Sequence, residues 1–277
     1  MNFSNDKLNL NFSRPCVMAI VNVTPDSFFE QSRTAHRSDI ERRVREVVAQ
    51  GADIIDIGGY SSRPGAEDVS PQQEWQRVEL GLSVVRDIAP DIVVSLDTFR
   101  GDVARRAVEK FGALIINDIS AGEIDPSIVD VVAEYQLPYI AMHMRGVPQS
   151  MQGLTEYRDV VQDVVDYFVR RVEELKVAGV IDIILDPGFG FAKSLEQNYS
   201  LMRGLHKLCE LGYPVLSGVS RKSMIYKLLD TSPQEALAGT IALGWESLRQ
   251  GAKILRVHDV REAVESVTIF GAYDKSE

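Results

Sequence analysis

The chain is short of several things, and each shortage removes a class of function. It has two cysteines in 277 residues, Cys16 and Cys209, far apart and in no metal-ligand spacing. A disulfide framework is therefore excluded, and buried free thiols are expected. It has four histidines, no two of them spaced as a zinc pair. No apolar run approaches the roughly 18 residues that cross a bilayer. The segment Met1 to Lys7 lacks the basic start and apolar stretch of an export signal, so the cytoplasm is the expected compartment. Positive charge is scarce as well: the net charge is -10 and the pI about 5.0, which argues against a nucleic-acid partner. Neither a Walker lysine loop nor a GxGxxG turn occurs. A chain of negative net charge can still hold a small anion where a few cations converge.

What is present is an ordinary globular composition, 45% hydrophobic and 25% charged. Eight short apolar runs recur at fairly even intervals: Cys16–Thr24, Ala52–Gly59, Asp91–Thr98, Ala113–Ser120, Leu137–Met144, Ile181–Gly188, Tyr213–Ser220 and Ala252–Asp259. Continuous Ile- and Val-rich runs fit parallel strands buried on both faces. Helical patterns separate them. Ser38, with Glu41 three residues on, reads as the N-cap of a helix to Gln50. Ser70 followed by Pro71 reads as a second helix start. Tyr157–Ala178 and Ser232–Gln250 read as longer amphipathic helices, and Gly51, Gly112, Gly179, Gly212 and Gly251 sit where helices end. The expected fold is a single eight-stranded parallel β/α (TIM) barrel over residues 1–277, with 1–14 as an N-terminal extension. A doubly wound open sheet is the alternative, because periodicity does not show closure.

Every run ends in polar, ionisable or glycine residues: Asn22, Gly58-Gly59, Asp97, Asn117-Asp118, His143, Asp186, Ser220-Arg221-Lys222, and Arg256 with His258. One such end is usually a turn or a cap. Eight are better explained by a shared site at the C-terminal mouth of a barrel. Two carboxylates, Asp97 and Asp186, with the carboxamide of Asn117, can read the donor–acceptor edge of a heterocycle. A glycosidase pair also uses two carboxylates. However, Arg63, Lys222, Arg256 and His258 are too many cations for a neutral sugar and suit a phosphate or carboxylate. The Gly58–Gly65 loop permits close backbone approach and offers hydroxyls and an arginine to an anion. By contrast, Asp56 reads as a satisfied buried carboxylate that could reach the floor of the site. His143 reads as a structural hydrogen bonder, His36 and His206 as surface residues, and Trp75 and Trp245 as packing residues on helices.

The strand-end segments resemble the dihydropteroate synthase family, in family order and over almost the whole chain from Arg14. They are Ile20-Val-Asn-Val-Thr-Pro-Asp-Ser-Phe28, Asp53-Ile-Ile-Asp-Ile-Gly-Gly-Tyr-Ser-Ser-Arg-Pro-Gly-Ala66, Ser95-Leu-Asp-Thr98, Ile116-Asn-Asp-Ile119, Met142-His-Met-Arg-Gly146, Asp186-Pro-Gly-Phe-Gly-Phe191, Ser220-Arg-Lys-Ser223 and Arg256-Val-His-Asp-Val260. The resemblance implies that 6-hydroxymethyl-7,8-dihydropterin diphosphate and 4-aminobenzoate condense to 7,8-dihydropteroate and diphosphate. It implies that Asn22 coordinates Mg2+ on the diphosphate, and that Asp97, Asn117, Asp186 and Lys222 bind the pterin. Arg256 would lie over the pterin and reach the phosphates with His258. Ser62 and Arg63 would touch the diphosphate, and Phe28, Ser62, Arg63, Pro64, Phe191, Lys222 and Ser223 would surround 4-aminobenzoate. The catalytic set so implied is Asp97, Asp186, Lys222 and Arg63, acting in a dissociative substitution. A sulfonamide target and a homodimer joined through barrel helices are also implied.

Two departures stand out. Tyr60 and Ser62 occupy positions where many relatives have Glu and Thr, and the segment after Phe28 lacks the glycines often found there. The rival readings are a pterin-dependent methyltransferase that serves a corrinoid and a pterin-binding barrel without activity. Pyrophosphate release on mixing the two substrates separates them.

Overall fold

Along the second strand, side chains alternate between two destinations. Ile55 and Ile57 pack outward against helices, whereas Ile54 and Asp56 point into the interior of a barrel. The computed structural model describes residues 8, 11–24, 33–60 and 69–274. Among these residues eight strands run in parallel: β1 (Cys16–Asn22), β2 (Ile54–Gly58), β3 (Val93–Asp97), β4 (Ile115–Asp118), β5 (Tyr139–Met142), β6 (Ile183–Asp186), β7 (Leu216–Ser217) and β8 (Ile254–Val257). Their order is β6-β5-β4-β3-β2-β1-β8-β7. The remaining seam, between β6 and β7, is joined by a parallel bridge from Leu185 to Val215 and by Leu185 N donating to Pro214 O at 2.9 Å. The barrel therefore closes, and the open-sheet alternative is set aside.

All eight runs contain a strand, but the seventh is only two residues long. Val215, just before it, carries the bridge to β6 and accepts from Lys253 N and Ile254 N, and Pro214, which has no N–H, limits the ladder on the N-terminal side. Helices α1 (Arg33–Ala49), α2 (Pro71–Ile88), α3 (Gly101–Phe111), α4 (Ser127–Tyr135), α5 (Val160–Val177), α6 (Leu195–Arg203), α7 (Leu205–Cys209), α8 (Ser223–Tyr226), α9 (Leu237–Arg249) and α10 (Val260–Asp274) follow the strands. Ser70 caps α2 in a capping box with Gln73, and Pro71 opens that helix as predicted. Ser38 does not cap α1. The helix begins at Arg33, because no Gly or Pro interrupts residues 33–37, and Glu41 pairs with Arg37 one turn back. Asp159 caps α5 instead of a start at Tyr157, and the Ser232–Gln250 pattern splits into a 3-10 turn at Pro233–Glu235 followed by α9. The five glycines placed at helix ends all adopt positive φ, between 80° and 104°.

Two hydrophobic layers hold this arrangement. The outer one lies between strands and helices and includes Val17, Ala19, Val94, Leu96, Phe168 and Val260. The inner one fills the N-terminal half of the barrel with Met18, Ile54, Ile115, Ile140, Ile184, Leu216 and Ile254. Leu8 and Phe12, from the N-terminal extension, pack against this inner plug and so close the barrel floor. Above the plug the interior changes character within one same-face step of two residues. Ile54 gives way to Asp56, Ile115 to Asn117, Ile184 to Asp186 and Ile254 to Arg256. That step from apolar to ionisable is where the site begins. Among the described residues, no helix is long and apolar enough to cross a membrane.

Candidate active site

Strand register sets the first row of functional groups. Asn22 pairs with Gly58, Gly58 with Asp97, and Asp97 with Asn117, so one level of the barrel runs through the ends of β1 to β4. Gly58 has no side chain between its neighbours: a Cβ there would lie 3.4 Å from Asp97 Cβ and 3.6 Å from Asn22 Oδ1. Across the mouth, Asp186 closes β6 in register with Met142. Asn117 and Asp186 are buried, whereas the Asp97 side chain keeps 22% of its surface exposed.

Arg256 ties the floor to this row. Its Nε donates to Asp56 Oδ2 at 2.7 Å and its Nη2 to Asp97 Oδ2 at 2.6 Å. Asn117 Nδ2 approaches the same Asp56 carboxylate at 3.3 and 3.4 Å. Asp56 is fully buried, so its charge depends on these partners. Burial works to lower the Arg256 guanidinium, but Asp56 and Asp97 outweigh it and raise the group further. Burial raises the Asp97 carboxyl above the usual carboxylate range, Arg256 pulls it back, and Asp56 pushes it up again. The sequence pattern alone gives Asp56 as a satisfied buried carboxylate; its same-face position two residues before Gly58 is the signal that brings it to the site.

Lys222 approaches from the β7 side. Its Nζ donates to the Phe189 carbonyl and lies 4.7 Å from the Phe191 ring centroid. A Cβ on Gly218 would sit 4.0 Å from both Lys222 Nζ and Arg256 Cβ, which places the two cations on neighbouring walls. Burial brings the Lys222 ammonium down to about 8, against the pull of Asp186. Burial likewise raises the Asp186 carboxyl, opposed by Lys222 and by the Gly188 amide, which donates to Asp186 Oδ1 at 2.7 Å.

The rim is built from the same loops. Ser220 Oγ lies 3.0 Å from His258 Nδ1, Arg221 forks onto Asp259, and Ser223 is the first residue of α8. Ile119, Met142, Met144 and Ala192, with Phe191 and Phe99 against them, form an apolar patch on these same strand-end loops. Tyr60 packs edge-on to Phe99 at 5.2 Å and accepts from Gln149 Nε2 at 3.1 Å, so this tyrosine has defined partners. Phe28, Ser62, Arg63 and Pro64 lie outside the described residues. Asn22 offers a hard carboxamide oxygen at the mouth, and no cluster of three His, Cys, Asp or Glu able to hold a metal occurs among the described residues. His143 is buried beside Lys193 and Tyr167, in keeping with a structural role, and Lys193 ends a segment from Asp186 that in sequence alone reads as a plain strand-to-helix turn. His206 is exposed, and Trp75 and Trp245 pack on α2 and α9. Both cysteines are free thiols, which burial pushes up to about 11.

With this geometry in view, the family model described as "Pterin binding enzyme" matches residues 18–258. The dihydropteroate synthase of Escherichia coli (strain K12) is 42% identical over 268 residues, 95% of this chain and 93% of that protein. Among solved structures, the Yersinia pestis dihydropteroate synthase in a sulfonamide drug complex superposes with a TM-score of 0.90 at 38% identity, covering 100% of both chains. The Xanthomonas albilineans dihydropteroate synthase in complex with 7,8-dihydropteroate superposes with a TM-score of 0.85 at 36% identity, covering 97% of each chain.

Proposed function

The chain belongs to the dihydropteroate synthase family, and from that premise we propose how its residues join 6-hydroxymethyl-7,8-dihydropterin diphosphate to 4-aminobenzoate with release of diphosphate. The observation that carries the reading is the convergence of Asp97, Asn117, Asp186, Lys222 and Arg256 at one end of a closed barrel. Carboxylates and a carboxamide accept from and donate to a pterin edge, and the two cations balance the anionic groups. Asp186 takes the pterin amino and ring N–H groups, and Asn117 adds a donor and an acceptor. Lys222 donates to the pterin carbonyl side. Arg256 lies over the ring and, with His258, reaches the phosphates. That reach requires it to exchange part of its present contact with Asp97.

The site suits a dissociative substitution. The bond from the exocyclic carbon to the diphosphate oxygen breaks with both electrons on oxygen. The dihydropterin delocalises the resulting cation, and Asp97 and Asp186 stabilise it electrostatically. The amine lone pair of 4-aminobenzoate then forms the carbon–nitrogen bond, and the nitrogen passes one of its protons to the released diphosphate or to water. Ser62 and Arg63 hold the diphosphate, and Phe28, Pro64, Phe191, Lys222 and Ser223 surround the aminobenzoate. Mg2+ held by Asn22 together with phosphate oxygens would supply charge neutralisation of the leaving diphosphate. The lone carboxamide oxygen at the end of β1 fits such a shared site better than a cage made of protein alone. A cytoplasmic homodimer is part of the same reading, and the Ile269 and Tyr273 side chains of α10, 61% and 58% exposed, offer apolar contact surface for it.

The test is a mixture of purified protein, Mg2+ and both substrates, followed for pyrophosphate and for dihydropteroate by mass. Equal amounts of both products, dependent on both substrates, are expected. Pterin binding without either product would instead support the inactive-barrel reading.

A further inference from the structure

Lys193 is buried behind the site wall, 5% exposed, and no role in binding or chemistry falls to it above. Its Nζ lies 3.0 Å from the Gly188 carbonyl, 2.9 Å from the Phe191 carbonyl and 3.1 Å from His143 Nδ1. An ammonium has three donors, and here each has one acceptor. Two of the acceptors belong to the turn that follows β6, the turn that carries Asp186 at its start and Phe191 at its end.

We propose that Lys193 is a positioning residue, whose ammonium holds the turn after β6 in the shape that presents Phe191 to 4-aminobenzoate beside Asp186. The proposal rests on the function assigned above for what Phe191 and Asp186 bind. The turn is gripped from two sides. On the pocket side, Lys222 donates to the Phe189 carbonyl. In its assigned role Lys222 must release that carbonyl to meet the pterin, so its hold is interrupted at each turnover. Lys193 has no substrate to meet, so binding does not interrupt its three contacts.

The turn has little other freedom to compensate. Gly188 adopts φ +68° and packs so closely on β5 that a Cβ there would come within 2.1 Å of the His143 carbonyl oxygen. Gly190 N donates to Asn198 Oδ1 at 2.6 Å, which fixes the middle of the turn to α6. At the Phe191 end the backbone is held by Lys193, by Phe191 N donating to Gly188 O at 3.1 Å and, two residues on, by Asn198 Nδ2 donating to the Lys193 carbonyl at 3.2 Å; of these only the ammonium reaches the Phe191 carbonyl. Asp186 is held by its strand, where His143 N donates to its carbonyl at 2.9 Å, and by the amide of Gly188, whose close packing on the His143 carbonyl does not depend on the ammonium. Loss of the ammonium should therefore displace Phe191 and leave Asp186 in place.

The contact also fixes His143. An ammonium donating to Nδ1 requires that nitrogen to be bare and the ring proton to sit on Nε2. Burial brings Lys193 down to about 7, against the pull of Asp186, so the ammonium form prevails at pH 6.

The experiment compares wild-type enzyme with Lys193→Met and Lys193→Gln, measuring KM for each substrate, kcat and the melting temperature. Lys193→Met should raise KM for 4-aminobenzoate at least tenfold while KM for the pterin diphosphate stays within threefold. Lys193→Gln, which keeps two donors, should fall between. A folded Lys193→Met with unchanged KM for 4-aminobenzoate, or with both KM values raised alike, overturns the proposal. Should the variants not fold, wild-type protein with 15N-labelled histidine decides the matter: at pH 6 a bare Nδ1 and a protonated Nε2 are expected, and a protonated Nδ1 overturns it. Absence of dihydropteroate from the wild-type reaction would instead defeat the assigned function, an outcome on which the histidine measurement does not depend.

Discussion

Arg256 on β8 meets Asp56 on β2 across 200 positions of sequence, with Nε to Oδ2 at 2.7 Å. The pair lies where the apolar plug of the barrel ends and the polar mouth begins. Its second nitrogen, on Asp97, joins the buried floor to the strand-end row. A charge as buried as Asp56 is tolerated because Arg256 and Asn117 answer it, and Arg256 is held in place because two carboxylates share it.

Removing one member of that arrangement should therefore be costly. Asp56→Ala leaves Arg256 with Asp97 alone and is expected to lower stability by about 3 kcal/mol, as for broken buried pairs generally. Urea denaturation measures this, and an unchanged midpoint would show that the pair contributes nothing net. Because the freed guanidinium also loses its orientation, kcat should drop more than pterin affinity does.

Asp186→Asn should weaken pterin binding severely. Charged hydrogen bonds contribute roughly 1.5–3 kcal/mol, which corresponds to about a ten- to hundredfold loss of affinity. Calorimetry on folded protein tests this, and near-wild-type affinity would remove Asp186 from the pterin set.

The pH profile follows from the same groups. Burial brings the Lys222 ammonium down to about 8, so its charge is present below that pH and lost above it. The carboxyl groups of Asp97 and Asp186 are raised by burial, so their charges are lost at a higher pH than usual as the solution is acidified. In the free enzyme kcat/KM for the pterin diphosphate should thus fall above about pH 8, with an acid limb above the ordinary carboxylate range. Lys222→Arg should abolish the basic limb while lowering the maximum, since a planar fork replaces a point charge. A basic limb unchanged in that variant would assign it to another group.

Asn22→Ala should raise the Mg2+ concentration needed for half-maximal rate by at least about tenfold, since even outer partners of metal sites matter that much. Pterin binding without diphosphate should stay near wild type. Mg2+ titration of the variant and of EDTA-treated wild type provides the comparison, and identical Mg2+ curves would place the ion elsewhere.

The sequence by itself determined the eight strands, the parallel arrangement and the polar end of each run. Runs such as Ile54-Ile55 and Ile183-Ile184 have apolar side chains on both faces, and only a strand covered on both sides buries them. It also determined the residues that carry the family resemblance, down to Asp97, Asn117, Asp186 and Lys222. Helix starts were legible where Ser70 and Pro71 supplied local chemistry, and not at Ser38, where helix-compatible residues continue upstream. Only the tertiary structure decided closure, because the bridge between Leu185 and Val215 depends on how twist accumulates around all eight strands. The placement of Asp56 and Lys193 was decided in the same way. Each is a charged residue in an otherwise apolar or turn-like stretch, and its meaning depends on partners that sequence spacing does not reveal: Arg256 for the one, His143 and the Gly188 and Phe191 carbonyls for the other. Local patterns record which face a side chain takes, whereas the partner across a closed barrel is set by the fold as a whole.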